Sequence, residues 1–368
     1  MNTMNTRERF VRVLTGKDVD RAPFMKIFGG TNAVINLWGD KYPLLHTYID
    51  ELLGFEGTYR GWSVAPVNVR LCGVPDSVEE YKSEIETRIR HGDGSVTVHM
   101  RRDNHFFNHI TEYPVKNYDD WQKIKENWLD PEDPRRFPAP NDWRNYIDIF
   151  NNRDYPLQLT CGGVYGFVRN MLGDETLCVM FYEEPELVHD IINTYIDMCI
   201  AIWKKMVKDI QFDVIECWED MAYKSGSIIS KKHFDEFLTP QYKRIQDFAG
   251  EANIPLILVD SDGNTMKLAE WMAEAGVNCM YPFEVQSNND IPYIRKNLPI
   301  MGCIGGLDKE CMARDKNAID AELEKARQLI PLGKFIPGPD HFVLENVPFE
   351  NYEYFMRGLK RVILETKL

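Results

Sequence analysis

The chain has 368 residues, of which 44% are hydrophobic and 27% are charged. A chain of this length and composition buries a large core without needing disulfides or metal ions to hold it together. Its formal net charge of −14 excludes the basic surface that a nucleic acid or an anionic membrane requires in a partner. No apolar run approaches the ~18 residues that a membrane-spanning helix needs.

The eight cysteines lie mostly in apolar segments and form no CxxC pair, which predicts buried, reduced thiols. Residues 1–9 are predominantly polar and lack the apolar region of a signal peptide. We therefore expect a cytoplasmic protein.

The first predicted element is a helix that begins at a Thr6 cap and ends at Gly16. Its apolar face is formed by Phe10, Val13 and Leu14. An apolar strand, Phe24 to Phe28, follows Arg21-Ala22-Pro23.

Residues 75–150 show a mixed pattern. The turn Gly92-Asp93-Gly94, followed by alternating Val96 and Val98, predicts a hairpin. The segment from Asp130 to Pro140 is dense in prolines and acids, which is typical of a long connection. We interpret residues 75–150 as a hairpin and loop insertion within a single domain that spans residues 1–368.

From Tyr155 onward, short apolar runs alternate with helical patterns. The predicted strands are Pro156–Thr160, Val214–Cys217, Pro255–Val259, Val277–Tyr281, Ile300–Ile304 and Lys334–Ile336. The clearest helix runs from Pro185 to about Val207, and another follows Asn264 and closes at Gly276. This alternation predicts an α/β fold, a single (β/α)8 TIM-type barrel. A doubly wound open sheet is the alternative, but no GxGxxG motif follows the first strand.

Acidic residues follow most of these strands, where a barrel places its reactive groups. The segments are Glu216-Cys217-Trp218-Glu219-Asp220, Asp260-Ser261-Asp262-Gly263-Asn264, Glu284, Gly305-Gly306-Leu307-Asp308 and Asp340-His341. Converging carboxylates repel one another unless a cation or proton lies between them, so a bound divalent metal is the simplest explanation. The alternative is that Asp262 or Asn264 caps a helix, that Glu219 and Asp220 are solvated, and that His341 is structural.

Aromatic residues near turns and strand ends are candidates for the wall of a substrate pocket. They are Trp38, Trp62, Tyr165, Trp218 and Phe283, with Tyr223 beside them. Packing in the core or at its rim is the alternative for each.

Several segments resemble the uroporphyrinogen decarboxylase superfamily in order and spacing. Arg7-Glu-Arg-Phe10 with Gly16-Lys-Asp-Val-Asp-Arg-Ala-Pro23 resembles its opening. Later blocks are similar at Gly276-Val277 through Glu284, at Ile304-Gly-Gly-Leu-Asp308, and at Pro337-Gly with Pro348-Phe-Glu-Asn351. The resemblance implies a β/α barrel over nearly the whole chain.

The superfamily contains decarboxylases and cobalamin-dependent methyltransferases. The decarboxylases carry two arginines in a pattern like R-Q-A-G-R, whereas this chain has Phe24-Met-Lys-Ile-Phe-Gly-Gly30. A polyanionic tetrapyrrole would lose its main anchors here, so porphyrin decarboxylation is disfavoured.

The resemblance to the methyltransferase branch implies a zinc site built from H-x-C-G-N and a later P-G-C-G. Asp260 and Asp262 stand at the histidine and cysteine of the first segment, His341 stands at the later cysteine, and Glu284 matches an acidic position. Without thiolates, these residues form a harder set of ligands. Such a set would still hold zinc, and other divalent transition metals such as Mn or Fe become plausible. A harder ion favours an oxygen of the substrate.

We therefore expect a metal-dependent enzyme that moves a methyl group from a small methoxylated or methylated substrate to, or from, a corrinoid protein carrying cobalamin. Asp260, Asp262, Glu284 and His341 would hold the metal, and Glu219, Tyr223, Asp262 and His341 would serve the reaction. By analogy with relatives, a homodimer is expected. The alternatives are a metal-free decarboxylase or lyase using His341 and Asp262 on a carboxylated substrate, and a non-catalytic barrel that binds a corrinoid or tetrapyrrole.

Overall fold

The computed structural model describes residues 4–27, 38–39, 41–56, 63–102 and 105–368. Within these residues, thirteen strands form a parallel sheet of seven, an antiparallel sheet of four and a two-stranded pair. In chain order the strands are β1 (Ser63–Val64), β2 (Val78–Lys82), β3 (Glu86–Arg90), β4 (Val96–Arg102), β5 (His105–Glu112), β6 (Leu157–Cys161), β7 (Val214–Trp218), β8 (Ala222–Tyr223), β9 (Gly226–Ser227), β10 (Leu256–Asp260), β11 (Cys279–Tyr281), β12 (Gly302–Leu307) and β13 (Phe335–Pro339).

The main helices of the same residues are α1 (Thr6–Thr15), α2 (Leu45–Leu53), α3 (Tyr118–Trp128), α4 (Pro140–Asn151), α5 (Val164–Leu172), α6 (Asp174–Glu183), α7 (Pro185–Met206), α8 (Thr239–Glu251), α9 (Met266–Ala275), α10 (Ile291–Asn297), α11 (Lys316–Leu329) and α12 (Phe349–Glu365). Short helical turns occur at Pro134–Arg136, Lys231–His233, Val285–Ser287, Lys309–Ala313 and Ile330–Leu332, and a π-helical turn, Phe234–Leu238, leads into α8. None of these helices is long and apolar enough to cross a membrane.

The fold is a TIM-type β/α barrel, as predicted. The parallel sheet has the strand order β1-β6-β7-β10-β11-β12-β13, and helices fill the connections from β6 onward. All six strands predicted after Tyr155 are present, with ends within three residues of the predicted ones. Their apolar runs are long enough for a strand and too short for a buried helix, which is why periodicity located them correctly.

The segment predicted as the first strand lies at the edge of this sheet. Residues 24–27 are buried but are not assigned as a strand, and Phe28 lies outside the described residues. A Cβ atom on Gly338 would overlap the side chain of Ile27, so Ile27 packs directly on β13. This segment therefore runs beside β13, where the eighth strand of a barrel belongs.

The N-cap of helix α1 is Asn5, one residue before the predicted cap. Asn5 Oδ1 accepts the Glu8 backbone N–H at 2.9 Å, and Glu8 Oε2 accepts the Asn5 N–H at 2.9 Å, which is a capping box. The prediction of Thr6 as the cap was therefore wrong, because the glutamate in the third helical position favours Asn5. Gly16 ends the helix in the left-handed region, with φ 71°.

Residues 78–112 form an antiparallel sheet of order β2-β3-β4-β5, which includes the predicted hairpin between β3 and β4. The proline-rich connection that follows α3 is held by Arg136, which is 1% exposed. Its guanidinium donates to the carbonyl oxygens of Trp128, Asn68, Arg70 and Asp130. The connection is therefore tied to the chain that follows β1.

Alternation along the strands determines which side chains face the barrel interior. Glu216 and Trp218 of β7 line an internal cavity, whereas Ile215 and Cys217 point to the opposite face and are fully buried. Trp218 pairs in register with Asp260 of β10, so Asp260 shares the inner face. The carboxyl end of the sheet is consequently rich in acids.

Candidate active site

Three side chains that follow different strands converge at the carboxyl end of the sheet. Asp262 follows β10, Glu284 follows β11 and His341 follows β13, and their ligand atoms all lie within 4.8 Å of one another. His341 Nε2 lies 3.2 Å from Asp262 Oδ2. Burial acts to lower the pKa of His341, but the hydrogen bond and charge of Asp262 outweigh it, and the pKa is raised. One imidazole nitrogen and two carboxylates are a donor set compatible with a divalent transition metal.

Glu284 is held from two sides. The Gly263 backbone N–H donates to its Oε2 atom at 2.9 Å, and the buried ammonium of Lys309 donates to its Oε1 atom at 3.2 Å. Lys309 Nζ also lies 3.7 Å from Oδ1 of Asp340, which is fully buried and accepts the backbone N–H groups of Val285 and Lys309. These contacts fix the loops after β11, β12 and β13 relative to one another.

A second acidic group shares Asp262. Carboxylate oxygens of Asp220, Asp260 and Asp262 also lie within 4.8 Å of one another. Burial raises the pKa of Asp260 well above its usual value, and the charge of Glu216 adds to this. Burial also raises the pKa of Asp220, with a contribution from the charge of Asp262. The two groups form one continuous cluster in which negative charge is crowded, an arrangement that a cation would stabilise.

The helix-capping alternative does not hold for Asp262, whose carboxylate contacts His341 instead of a helix terminus. Asn264 Oδ1 accepts the backbone N–H of Met266, the first residue of α9, at 3.3 Å. Of the two candidates, Asn264 is therefore the residue whose side chain binds a free backbone N–H at the start of α9.

A cavity of about 840 Å³ lies beside this cluster. Its walls come from residues 64–74, from the end of β6 with α5, and from β7, and they are mainly apolar. Trp218 forms part of the wall, and the Arg169 guanidinium lies 4.8 Å above its ring. Phe167 and Tyr195 line another part as a stacked pair with centroids 3.7 Å apart.

Glu216 connects the cavity to the acidic cluster. Burial raises its pKa to about 8. The Tyr281 hydroxyl lies 3.5 Å from Glu216 Oε1 and 3.0 Å from Asp260 Oδ2, and therefore bridges the two acids. With this pKa, Glu216 holds a proton at neutral pH, and burial makes Asp260 keep its proton to a higher pH than an ordinary aspartate does.

Glu219 is buried away from the cavity, at the start of α5. It is 0% exposed, and its carboxylate accepts the backbone N–H groups of Val164, Tyr165 and Gly166 at 2.7–2.9 Å and the hydroxyl of Tyr242. Burial raises its pKa to about 7. These contacts favour a positioning role, in which Glu219 ties the α5 terminus to β7, and its catalytic role stays a prediction. Tyr223, by contrast, is 59% exposed at the rim in β8.

The predicted pocket aromatics separate into different environments. Trp218 lines the cavity, and its contact with a substrate stays a prediction. Trp38 packs on Phe349 and Tyr352 of α12 and donates to the Val347 carbonyl at 2.8 Å. Tyr165 is fully buried and donates to Asp174 at 2.7 Å, and Phe283 is 1% exposed. Trp62 lies outside the described residues.

The sequence analysis named Glu216 among the strand-end acids but assigned it no role, and it did not single out Tyr281 or Lys309. Alternation could have found Glu216, since it precedes Trp218 by two residues in the same strand and must share its face. Lys309 follows a predicted strand-end aspartate, but its contacts with Glu284 and Asp340 depend on loops from other strands.

A family model and a curated relative both match this chain to the uroporphyrinogen decarboxylases. The family model described as uroporphyrinogen decarboxylase (URO-D) matches residues 94–362. A uroporphyrinogen decarboxylase from Synechococcus sp. (strain CC9605) is 25% identical over 187 residues, which is 50% of this chain and 50% of that protein. The match thus spans about half the length of the curated relative.

A solved methyltransferase from Methanosarcina mazei resembles the whole chain. It aligns over 97% of this chain and 99% of its own, with a TM-score of 0.63 and 16% sequence identity. At this identity the likeness shows the shared fold.

Proposed function

Since the chain belongs to the uroporphyrinogen decarboxylase family, we propose that it is a metal-dependent methyltransferase acting between a small methoxylated or methylated substrate and a corrinoid protein. The observation that carries this proposal is the convergence of Asp262, Glu284 and His341, whose ligand atoms lie within 4.8 Å of one another. The fold it shares with a methyltransferase is consistent with the proposal.

The residues present fit a divalent metal. Imidazole and carboxylate donors suit zinc, manganese or iron, and Asp262, Glu284 and His341 would hold the ion, with Asp260 beside them. Asp220 and Asp260 crowd the same cluster, so a positive ion would reduce their mutual repulsion. Such an ion would supply Lewis acidity toward an oxygen of the substrate.

The chain's own groups would handle the proton. When the bond between the methyl carbon and the substrate oxygen breaks, that oxygen keeps the electron pair and needs a proton. Burial raises the pKa of Glu216 to about 8 and raises that of Asp260 well above its usual value, and Tyr281 lies between them. We assign the proton supply to this pair, with Trp218 forming the wall against which the substrate lies.

The decarboxylase alternative has less support from the residues. Lys26 is the only cation between Phe24 and Gly30, and its ammonium is buried 3.0 Å from Asp50 Oδ1. It is therefore already neutralised and is not available to grip the carboxylates of a substrate.

The proposal is tested by metal content and by methyl transfer together. Protein purified without chelator is analysed by inductively coupled plasma mass spectrometry, where we expect about one divalent transition metal per chain. The same protein is incubated with chemically reduced cob(I)alamin and 3-methoxybenzyl alcohol, and methylcobalamin is measured by mass spectrometry. We expect methylcobalamin to form with the native chain.

Matched variants identify the site. Asp262→Asn and His341→Ala should lose both the metal and the methyl transfer. Asp320→Asn is the control, because Asp320 is an exposed acid that accepts a hydrogen bond from Tyr354 in the last helix. Metal-free native protein, or equal metal content in all three variants, would overturn the proposal, and metal-bound protein without methyl transfer would restrict it to a non-catalytic barrel.

A further inference from the structure

The cavity beside the acidic cluster is much larger than a single-ring substrate needs. Its volume is about 840 Å³, whereas an apolar cavity of about 150 Å³ is enough to hold benzene. Cavities that enclose drug-sized ligands measure about 300–1,000 Å³, and this one lies near the top of that range. A one-ring ether bound here would therefore leave most of the space to water.

The wall of the cavity is apolar both near the barrel strands and away from them. Near the strands, Trp218 of β7 lies beside the stacked rings of Phe167 and Tyr195. The chain after β1 adds further apolar side chains, among them Leu71 and Val74. An apolar group that displaces water from such surfaces binds favourably. A ligand that covers both regions therefore binds more tightly than one that covers either alone.

The antiparallel sheet holds the outer part of the cavity, which we define as the part lined by Leu71, Val74 and Asp93. Asp93 lies in the turn between β3 and β4 and belongs to the cavity wall. A Cβ atom on Gly92 would overlap the carbonyl oxygen of Pro75, so this turn packs directly on the residue after Val74. The insertion therefore sets how far the cavity extends from the barrel.

His91 fixes the position of this turn. Its Nδ1 atom lies 3.0 Å from the Ser77 hydroxyl oxygen, and its Nε2 atom lies 2.9 Å from that of Thr97. The residue before the turn is thus tied both to the chain leading into β2 and to β4. The outer part of the cavity is consequently a formed wall.

The polar groups of the wall suit an uncharged ligand. The side chains of Asn170 and Thr160 line the cavity and have no hydrogen-bond partner among the described residues. Each offers both a donor and an acceptor without a charge. The outer wall carries one cation, the exposed Arg70, and one acid, Asp93, and Glu216 holds a proton at neutral pH. The described wall therefore favours neither sign of charge.

We propose that this cavity binds an uncharged substrate of about two rings, with one ring against Trp218 and the other against Leu71 and Val74. Asn170 hydrogen-bonds a hydroxyl group of that substrate. The presence of the methyl ether on one ring rests on the proposed function, whereas the size preference does not. The inference narrows the small substrate proposed above from one ring to two.

Two uncharged probes test the size preference. They are 3-methoxybenzyl alcohol and 4-benzyloxy-3-methoxybenzyl alcohol, which differ by the second ring. Binding to the full-length chain, stripped of metal with chelator, is measured by isothermal titration calorimetry. We expect the two-ring probe to bind at least about tenfold more tightly. Equal affinities, tighter binding of the one-ring probe, or no binding of either at the solubility limit of the larger one would each overturn the proposal.

A substitution in the outer part of the cavity locates the second ring. Val74→Phe fills this part, so the advantage of the two-ring probe should fall to about twofold or less, while the one-ring probe binds as it does to the native chain. Retained binding of the one-ring probe also shows that the variant is folded. Val179→Phe is the matched control, because Val179 is 49% exposed on α6, and it should keep the advantage. An unchanged advantage in Val74→Phe would contradict the position of the second ring.

Asn170→Leu tests the polar contact. Leucine has nearly the size of asparagine and lacks the amide, so the two-ring probe should bind about three- to tenfold more weakly. The control ligand is 4-benzyloxy-3-methoxytoluene, which lacks the hydroxyl group and should bind equally to the native chain and the variant. Equal weakening of both ligands would show that Asn170 does not bind the hydroxyl. Because no metal or cobalamin is present, failure of methyl transfer leaves these results unaffected.

Discussion

His341 Nε2 lies 3.2 Å from Asp262 Oδ2, although 79 residues separate them in the chain. The two residues follow β13 and β10, which the parallel sheet brings to the same end. With Glu284, they form the part of the site in which nitrogen and oxygen donors meet. The pair therefore decides whether the cluster functions as a metal site.

Divalent ions should stabilise the native chain through this pair. A ligand that binds only the folded state at about 100 times its Kd adds roughly 2.7 kcal/mol to the free energy of unfolding. We expect zinc or manganese to raise Tm in the native chain and in Asp320→Asn, but not in Asp262→Asn or His341→Ala. Differential scanning fluorimetry with and without chelator measures this, and equal shifts in all four proteins would show that the ion binds elsewhere.

Glu219→Gln should destabilise the protein strongly. Each carboxylate oxygen of Glu219 accepts at least one backbone N–H, so a glutamine amide group must face a donor in either orientation. We expect the free energy of unfolding to fall by about 3 kcal/mol, because a buried backbone donor then loses its acceptor. Urea denaturation measures the loss.

The control for this variant is Glu216→Gln, the same substitution at the other buried glutamate of the described residues. Its amide faces the cavity and is not opposed by backbone donors. We expect its free energy of unfolding at neutral pH to equal or exceed that of the native chain. Equal losses in the two variants would contradict the positioning role of Glu219.

Gly163→Ala tests the same contact between the start of α5 and the end of β7, through the backbone. Gly163 has φ 86°, and a Cβ atom there would overlap the Trp218 carbonyl oxygen and lie 2.7 Å from Glu219 Oε2. We expect a loss of about 3 kcal/mol or more. Gly250→Ala in α8 is the control, because nothing lies within 4 Å of its Cβ position; it should gain about 0.5 kcal/mol. Matching effects at both positions in chemical denaturation would show that the junction is not tightly packed.

The predictions from sequence succeeded where a pattern is local. Short apolar runs such as Val214–Cys217 located the strands, and Gly276 correctly marked the end of α9 in the left-handed conformation. Placing acids at the strand ends predicted a cluster there, and the resemblance to the methyltransferase branch implied Asp260, Asp262, Glu284 and His341 as its metal ligands. The ligand atoms of the last three lie within 4.8 Å of one another. Parallel topology brings such residues to one end of the sheet, but the choice among them came from the resemblance.

The sequence could not show which acids are structural. Glu219 and Glu216 are three positions apart, yet one faces the N-terminus of α5 and the other faces the cavity. That difference depends on where α5 packs, which is a tertiary property. Similarly, Trp38 was predicted at the pocket, but it packs on α12, more than three hundred residues later.

Stability should fall as pH rises from about 5 to 8, in part because of Glu216. Burial raises the pKa of Glu216 from 4.5 to about 8. Between these values the native state holds a proton that the unfolded state has lost, so raising the pH favours unfolding by up to ~1.4 kcal/mol per pH unit. This contribution is present below the unfolded pKa and is lost as pH rises through the native one. Glu219 and Asp260 act in the same direction.

Glu216→Gln isolates the effect of this residue, since the other acids remain. We expect the unfolding free energy of the variant relative to the native chain to increase with pH over this interval. Urea titrations at several pH values measure the difference. Parallel curves for the two proteins would show that Glu216 is ionised in the native state throughout.

Lys309→Met should make the metal site bind more tightly while weakening the metal-free fold. The Lys309 ammonium is buried, 3.2 Å from Glu284 Oε1 and 3.7 Å from Asp340 Oδ1. Removing it leaves two acids uncompensated, and breaking a buried pair in this way costs about 3 kcal/mol. A divalent ion then meets no neighbouring positive charge and can take over the neutralisation of Glu284. We expect a lower Tm than that of the native chain in chelator but a larger rise of Tm with manganese.

Lys267→Met, which removes an exposed lysine paired with Glu270, is the control and should change neither value. A smaller manganese response in Lys309→Met than in the native chain would show instead that Lys309 is needed to hold Glu284 in a metal-binding position.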